Sequence, residues 1–323
     1  MVLAQPLLKV LHARHPGLAL DVLAPRWTLP LLARMPEVRR AIESPFDHGD
    51  LRLGDRRRLG RDLAQEGYER AIVLPNTFKS ALAPFFAGIR IRTGYIGELR
   101  HWLLNDARKL DEKSLPQLAQ RYAVLALPRG VSLPQPLPTL ALRVDEAARR
   151  AVIARLGLDR ARPAAALCPG AEFGPAKRWP VRHFAELAHG LAAHGCAVWL
   201  IGSQNDRDAG AEIDRSAGGV CRNLCGETTL TEAIDLLASC ALVVSNDSGL
   251  MHVAAALGRP LVALYGSSSP AYTPPLSADA RILKLDLPCS PCFQRECPLG
   301  HFNCMLQLTP DKVLAAIDFD RIS

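Results

Sequence analysis

No stretch of this 323-residue chain approaches the ~18–20 consecutive apolar residues that a membrane-crossing helix needs, so none is expected. Its opening, Met1-Val2-Leu3-Ala4-Gln5-Pro6, lacks a basic segment ahead of an apolar run, which argues against a secretory signal. Aromatic residues make up only 6% and no nucleic-acid-binding motif accompanies them, so a base-stacking protein ranks last. No short-period repeat occurs. A disulfide framework is equally absent: nine cysteines is an odd number, scattered except near the C-terminus, and fits a reducing cytosol. Acidic excess is missing too. The 39 Lys and Arg outnumber the 32 Asp and Glu, and the net charge of +7 implies an anionic partner such as a sugar phosphate or an acidic lipid.

What is present is globular: 49% hydrophobic and 22% charged residues, enough for two domains of about 150 residues each. Apolar runs alternate with helical spacing, the pattern of a parallel α/β architecture. In the first half, residues 18–24 and 70–75 read as strands. Residues 55–67 read as a solvated helix, crowded by Arg56, Arg57, Arg58 and Arg61. Three prolines within residues 131–138 mark a linker, because proline removes a backbone donor and fixes φ. In the second half, strands are expected at 164–168, 197–201, 220–224, 241–245 and 260–265, with helices at 230–239 and 248–257. A last helix is expected over 310–319, with Thr309 as N-cap and Pro310 in its first turn. The domains predicted are 1–135, 136–309 and a C-terminal helical segment, 310–323, packing back on the first domain. Residues 3–11 already show helical spacing, whereas a doubly wound domain opens with a strand. A first strand is therefore expected to be missing from this sequence.

Two loops carry the chemistry. Pro169-Gly170-Ala171-Glu172-Phe173-Gly174-Pro175-Ala176-Lys177-Arg178-Trp179-Pro180 follows a buried strand and precedes a helix, the place where open α/β sheets hold anions. Ser245-Asn246-Asp247-Ser248-Gly249-Leu250-Met251-His252 repeats the arrangement; Asp247 or Ser248 could cap the helix that follows. Residues 168–180, 246–257, 264–270, 74–81 and 92–95 together resemble glycosyltransferase family 9, the ADP-heptose:lipopolysaccharide heptosyltransferases, along the whole chain. The resemblance implies a GT-B fold, two doubly wound Rossmann-like domains facing a cleft. It also implies inverting transfer of L-glycero-D-manno-heptose from ADP-heptose to the first heptose of the lipopolysaccharide inner core, at the cytoplasmic membrane face, with no required cofactor. Family members begin with a strand and a loop ending in Gly-Asp, whose Asp is the presumed general base; no residue here occupies that position. A non-catalytic ADP-sugar-binding remnant is thus the alternative, and a nucleotide-sugar epimerase a second.

Site expectations follow. Lys177 is the catalytic candidate, since a compact cation beside the departing diphosphate stabilises charge that grows as the sugar–phosphate bond breaks. Gly170, Lys177, Gly202, Ser203, Asn246, Asp247, Ser248, Gly249 and His252 are assigned to the donor. The exposed N–H groups of Ser248 and Gly249 suit its diphosphate, and Asp247 suits heptose hydroxyls. Asn76, Thr77, Lys79, Ser80, Arg92 and Arg100 are assigned to the acceptor, which carries carboxylates and phosphates. Four thiols within sixteen residues, Cys289, Cys292, Cys297 and Cys304, pose a structural zinc against a cluster of reduced cysteines.

Overall fold

The computed structural model describes residues 1–47 and 49–322. The chain forms two compact units. The first comprises Met1, Leu3–Ala33 and Glu37–Pro138; the second comprises Val2, Arg34–Pro36 and Thr139–Ser323.

In the first unit the helix Gln5–Arg14 buries Leu7, Leu8, Val10 and Leu11, as its spacing predicts. Strand β1 (Asp21–Pro25) pairs in parallel with β2 (Arg40–Ser44). Separately, β3 (Arg70–Val73), β4 (Ile91–Tyr95) and β5 (Asp106–Arg108) form a parallel three-stranded sheet in that order. Among the described residues these strands fall into two sheets, with no hydrogen-bonded ladder joining them. The arginine-rich helix runs Leu53–Ala64, and Arg56 departs from the solvated reading. Its guanidinium is buried, lies 3.9 Å from the Phe46 ring centroid and donates to the carbonyls of Asp50, Leu51 and Lys79. Neutral carbonyls that satisfy every face of a cation make its burial tolerable.

The second unit is one parallel sheet of six strands: β6 (Ala164–Cys168), β7 (Ala197–Leu200), β8 (Cys221–Asn223), β9 (Leu242–Asn246), β10 (Leu261–Tyr265) and β11 (Ala280–Lys284). Their order is β11-β10-β9-β6-β7-β8. Each of β6, β7, β9 and β10 is buried along its length, as the apolar runs require of strands covered on both faces. Edge strand β11 is unforeseen: Arg281 and Lys284 break its apolar run, and it pairs with β10 alone. The C-terminal segment also needs correction. It is two short helices, Pro310–Ala315 and Phe319–Ile322; their Val313 and Ile322, with Ile317 between them, enter the second unit's own core with Leu187 and Leu191. Apolar side chains commit to the nearest groove that dehydrates them, and Leu314 packs where Gly190 leaves room. Thr309 makes no side-chain cap, although Pro310 does hold the first turn.

Candidate functional site

Strand order in the second unit reverses at β6, which pairs with β7 on one side and β9 on the other. Outside the carboxyl ends of such strands an open sheet leaves a crevice. Register brings the two loops together there, with Cys168 of β6 opposite Ser245 of β9. Lys177 stands in the loop after β6 and Asp247 directly after β9; the ammonium donates to Oδ2 of the carboxylate at 2.5 Å. Seventy residues separate the pair in sequence. The Lys177 ammonium also lies 5.0 Å from the Phe173 ring centroid, and 17% of its side chain stays exposed, enough to meet a ligand.

After Asp247 the backbone turns into the helix Gly249–Ala256. Ser248 sits extended at its N-cap without accepting a hydrogen bond from the first turn; neither residue named for that task performs it. Space around a Gly249 Cβ is open, and the first-turn N–H groups of a helix lack partners within it and can receive an anion. One turn on, His252 keeps its Nδ1 buried and unpartnered. Burial holds its imidazole at a pKa of about 4, with the Asp247 carboxylate opposing and the Lys177 ammonium reinforcing. The hydroxyls of Ser267 and Ser268, in the loop after β10, are buried and unpartnered too.

Other expected donor residues serve the frame. The Asn246 amide is spent at both ends: Nδ2 donates to the Pro169 carbonyl at 2.7 Å and Oδ1 accepts from the Trp179 N–H at 3.1 Å. It ties the two loops together, which corrects its assignment as a ligand contact. Ser203 is likewise committed. Asp206 accepts from its N–H at 2.8 Å and its hydroxyl at 2.7 Å, closing a capping box that only the S-x-x-D spacing could have revealed. A Cβ on Gly170 would lie 2.5 Å from the Asp206 carboxylate, and one on Gly202 would lie 2.9 Å from its Cβ. Both glycines therefore admit Asp206, a residue sequence reasoning missed.

In the first unit, residues 75–80 follow β3. Arg100 is fully buried and bonds the Tyr95 carbonyl at 3.0 and 2.7 Å, Asn76 Oδ1 at 3.1 Å, Ser80 Oγ at 3.0 Å and the Pro75 carbonyl. Arg92 gives its guanidinium to the carbonyls of Ile89 and Leu103. Both arginines hold loops and have little left for an acceptor, a correction that follows from the demand of unpaired loop carbonyls for donors. Ser80 donates to the Thr77 carbonyl at 2.6 Å. Half-buried Lys79 has no ion-pair partner among the described residues and, with Thr77 and exposed Asn76, remains available.

The four C-terminal thiols line one cavity of about 20 Å³ with Ser267 and His301. Among the described residues, no three Cys, His, Asp or Glu side chains are arranged to hold a metal ion, and all nine cysteines are free. Zinc would need these thiolates to converge at about 2.3 Å, an arrangement the described side chains do not show. Cys297 is instead turned to its own backbone, accepting the Phe302 N–H at 3.4 Å. That bond, with N–H groups of residues 299–301, lowers its pKa, whereas burial among the other three thiols raises that of Cys304.

No helix among the described residues is long and apolar enough to cross a membrane. The sequence pattern of glycosyltransferase family 9 (heptosyltransferase) matches residues 56–303. The chain is similar to lipopolysaccharide heptosyltransferase 2 of Escherichia coli K12, 48% identical over 327 residues that cover 98% of this chain and 94% of that protein. The Salmonella typhimurium LT2 protein of the same name is 50% identical, covering 97% and 93%. Among solved structures, ADP-heptose lps heptosyltransferase II of E. coli superposes with a TM-score of 0.87 at 47% identity, covering 98% and 93%. A family 9 glycosyltransferase of Veillonella parvula shares the fold at a TM-score of 0.84 and 21% identity, covering 98% and 91%.

Proposed function

Because the chain belongs to glycosyltransferase family 9, a family of heptosyltransferases, we propose that it moves L-glycero-D-manno-heptose from ADP-heptose onto the first heptose of the lipopolysaccharide inner core. It is a glycosyltransferase enzyme, and heptosyl transfer in lipopolysaccharide core assembly rests on its near-full-length relatives. Donor, stereochemistry and place of work are our reading: an inverting reaction at the cytoplasmic face of the inner membrane.

The observation that carries it is the Lys177 ammonium at the strand-order reversal, held 2.5 Å from Asp247 beside an uncapped helix N-terminus. As the C1–O bond breaks, the pair of electrons goes to the β-phosphate oxygen of the departing ADP. Asp247 occupies one N–H of Lys177, leaving two for phosphate oxygens that grow more negative. First-turn N–H groups from Gly249 onward receive the remaining phosphate charge. In this reading phosphate binding needs no cofactor. Asn76, Thr77 and Lys79 serve the acceptor, Lys79 as counter-charge to its anionic groups.

The test is transfer from ADP-heptose to a lipid A acceptor ending in one heptose, followed by mass spectrometry and NMR of the new anomeric centre. Transfer rather than binding is the readout, because a chain that only bound ADP-heptose would pass a binding test. Lys177→Ala is expected to lower kcat by about 10²-fold, the scale of losing one charge-stabilising donor, with a smaller change in KM. A loss confined to KM would overturn the leaving-group role.

A further inference from the structure

The turn that presents Lys177 is held from outside by one residue of the cysteine-rich loop, Arg295. Its carbonyl accepts the Ala176 N–H at 3.0 Å, one residue before the lysine. Its Nε donates to the Phe173 carbonyl at 2.8 Å, at the start of the same turn. The guanidinium carbon lies 5.9 Å from the Phe173 ring centroid, and the Lys177 ammonium lies 5.0 Å from that same centroid. Between these contacts sits Gly174 at φ +153°; a Cβ there would come within 2.4 Å of the Arg295 carbonyl. The close approach explains why this position is glycine.

Arg295 is itself moored. Two residues before it, the Phe293 N–H donates to the Ser267 carbonyl at 2.7 Å, and the Ser290 hydroxyl donates to the Gly266 carbonyl at 2.7 Å. Gly266 and Ser267 directly follow β10, the neighbour of β9, and Asp247 directly follows β9. A continuous set of hydrogen bonds thus runs from the end of β10 through Arg295 to the Lys177 turn. No carboxylate pairs with Arg295 among the described residues, and the side-chain hydrogen bond it makes is this Nε brace.

We propose that Arg295 is a positioning residue for Lys177, acting through the Nε–H bond to the Phe173 carbonyl rather than through its charge. The proposal rests on the leaving-group reading of Lys177. A flexible lysine stem gives no defined position to its ammonium, and a misplacement of about 1 Å at a reacting centre can cost on the order of 10²-fold.

The test compares Arg295→Ala, Arg295→Gln and Arg295→Lys in the transfer assay, with thermal unfolding of each variant as the folding control. Gln carries an N–H at the chain position of arginine Nε and no charge; Lys carries the charge and no donor there. Arg295→Ala is expected to lower kcat about tenfold at nearly unchanged KM for ADP-heptose. Arg295→Gln should recover most of that loss and Arg295→Lys little of it. The reverse order, rescue by Lys and not by Gln, would overturn the proposal in favour of direct contact with phosphate. In a Lys177→Ala background, Arg295→Ala should cost less than about twofold, and a full tenfold loss there also overturns it. An undiminished Lys177→Ala enzyme would sink the leaving-group reading and the proposal with it. A crippled Lys177→Ala beside an undiminished Arg295→Ala would sink the proposal alone.

Discussion

At the scale of single residues, identical chemistry meets opposite fates. Lys177 and Arg100 were both candidates for anion binding, yet one keeps a partly exposed ammonium and the other is sealed among carbonyls. Cysteine divides the same way. Burial pushes Cys221, Cys225 and Cys240 up to about 12, whereas the Phe302 N–H brings Cys297 below its ordinary value. Since the thiolate is the nucleophile, brief iodoacetamide treatment of the native protein should label Cys297 first, by peptide mass spectrometry. Preferential labelling of Cys225 or Cys240 would contradict the arrangement. His252 supplies a pH dependence. Its imidazole stays neutral in the folded state down to about 4, against an ordinary 6.5. Between those values the unfolded chain binds a proton that the folded chain refuses, so its contribution to stability is full above 6.5 and shrinks as pH falls. His252→Gln should flatten the drop in Tm between pH 7 and pH 5; an unchanged drop would show that another group carries it.

At the scale of elements, loops rather than helices or strands make the site, and each is fastened by a side chain from elsewhere. Asn246 joins the β6 and β9 loops, and Asp206 fits between the backbones of Gly170 and Gly202. Gly170→Ala forces a methyl to 2.5 Å from a carboxylate that cannot swing away without losing two hydrogen bonds from Ser203. A loss of about 1–3 kcal/mol is expected, as for other overpacked positions. Urea unfolding measures it; an unchanged midpoint would mean that Asp206 moves freely. Strands β6, β7, β9 and β10 were legible because burial on both faces demands unbroken apolar runs. Edge strand β11 was not, since its pairing depends on which backbone lies alongside, and no local pattern encodes that.

At the scale of the whole molecule, the excess of positive charge is the property that reaches furthest from the site. An enzyme acting on a lipid-linked anionic acceptor gains local concentration from it. We expect retention on vesicles containing phosphatidylglycerol at low ionic strength and release near 0.5 M NaCl, where screening acts within a few ångströms. Sedimentation with the vesicles measures this; retention that ignores salt would assign the contact to apolar residues instead.

Family, α/β class and the two loops that meet at the candidate site were present in the order of residues alone, because motif spacing and strand periodicity are local properties. So was Lys177 as the foremost cation. What only the folded chain decided is how each polar group is spent: Asn246 and Arg92 on backbone, Arg100 chiefly so, Ser203 on the Asp206 carboxylate, Arg295 Nε on the turn that carries Lys177. A hydrogen bond is settled by which groups meet across tens of residues, and burial makes leaving one unmade costly. That accounting exists only in three dimensions.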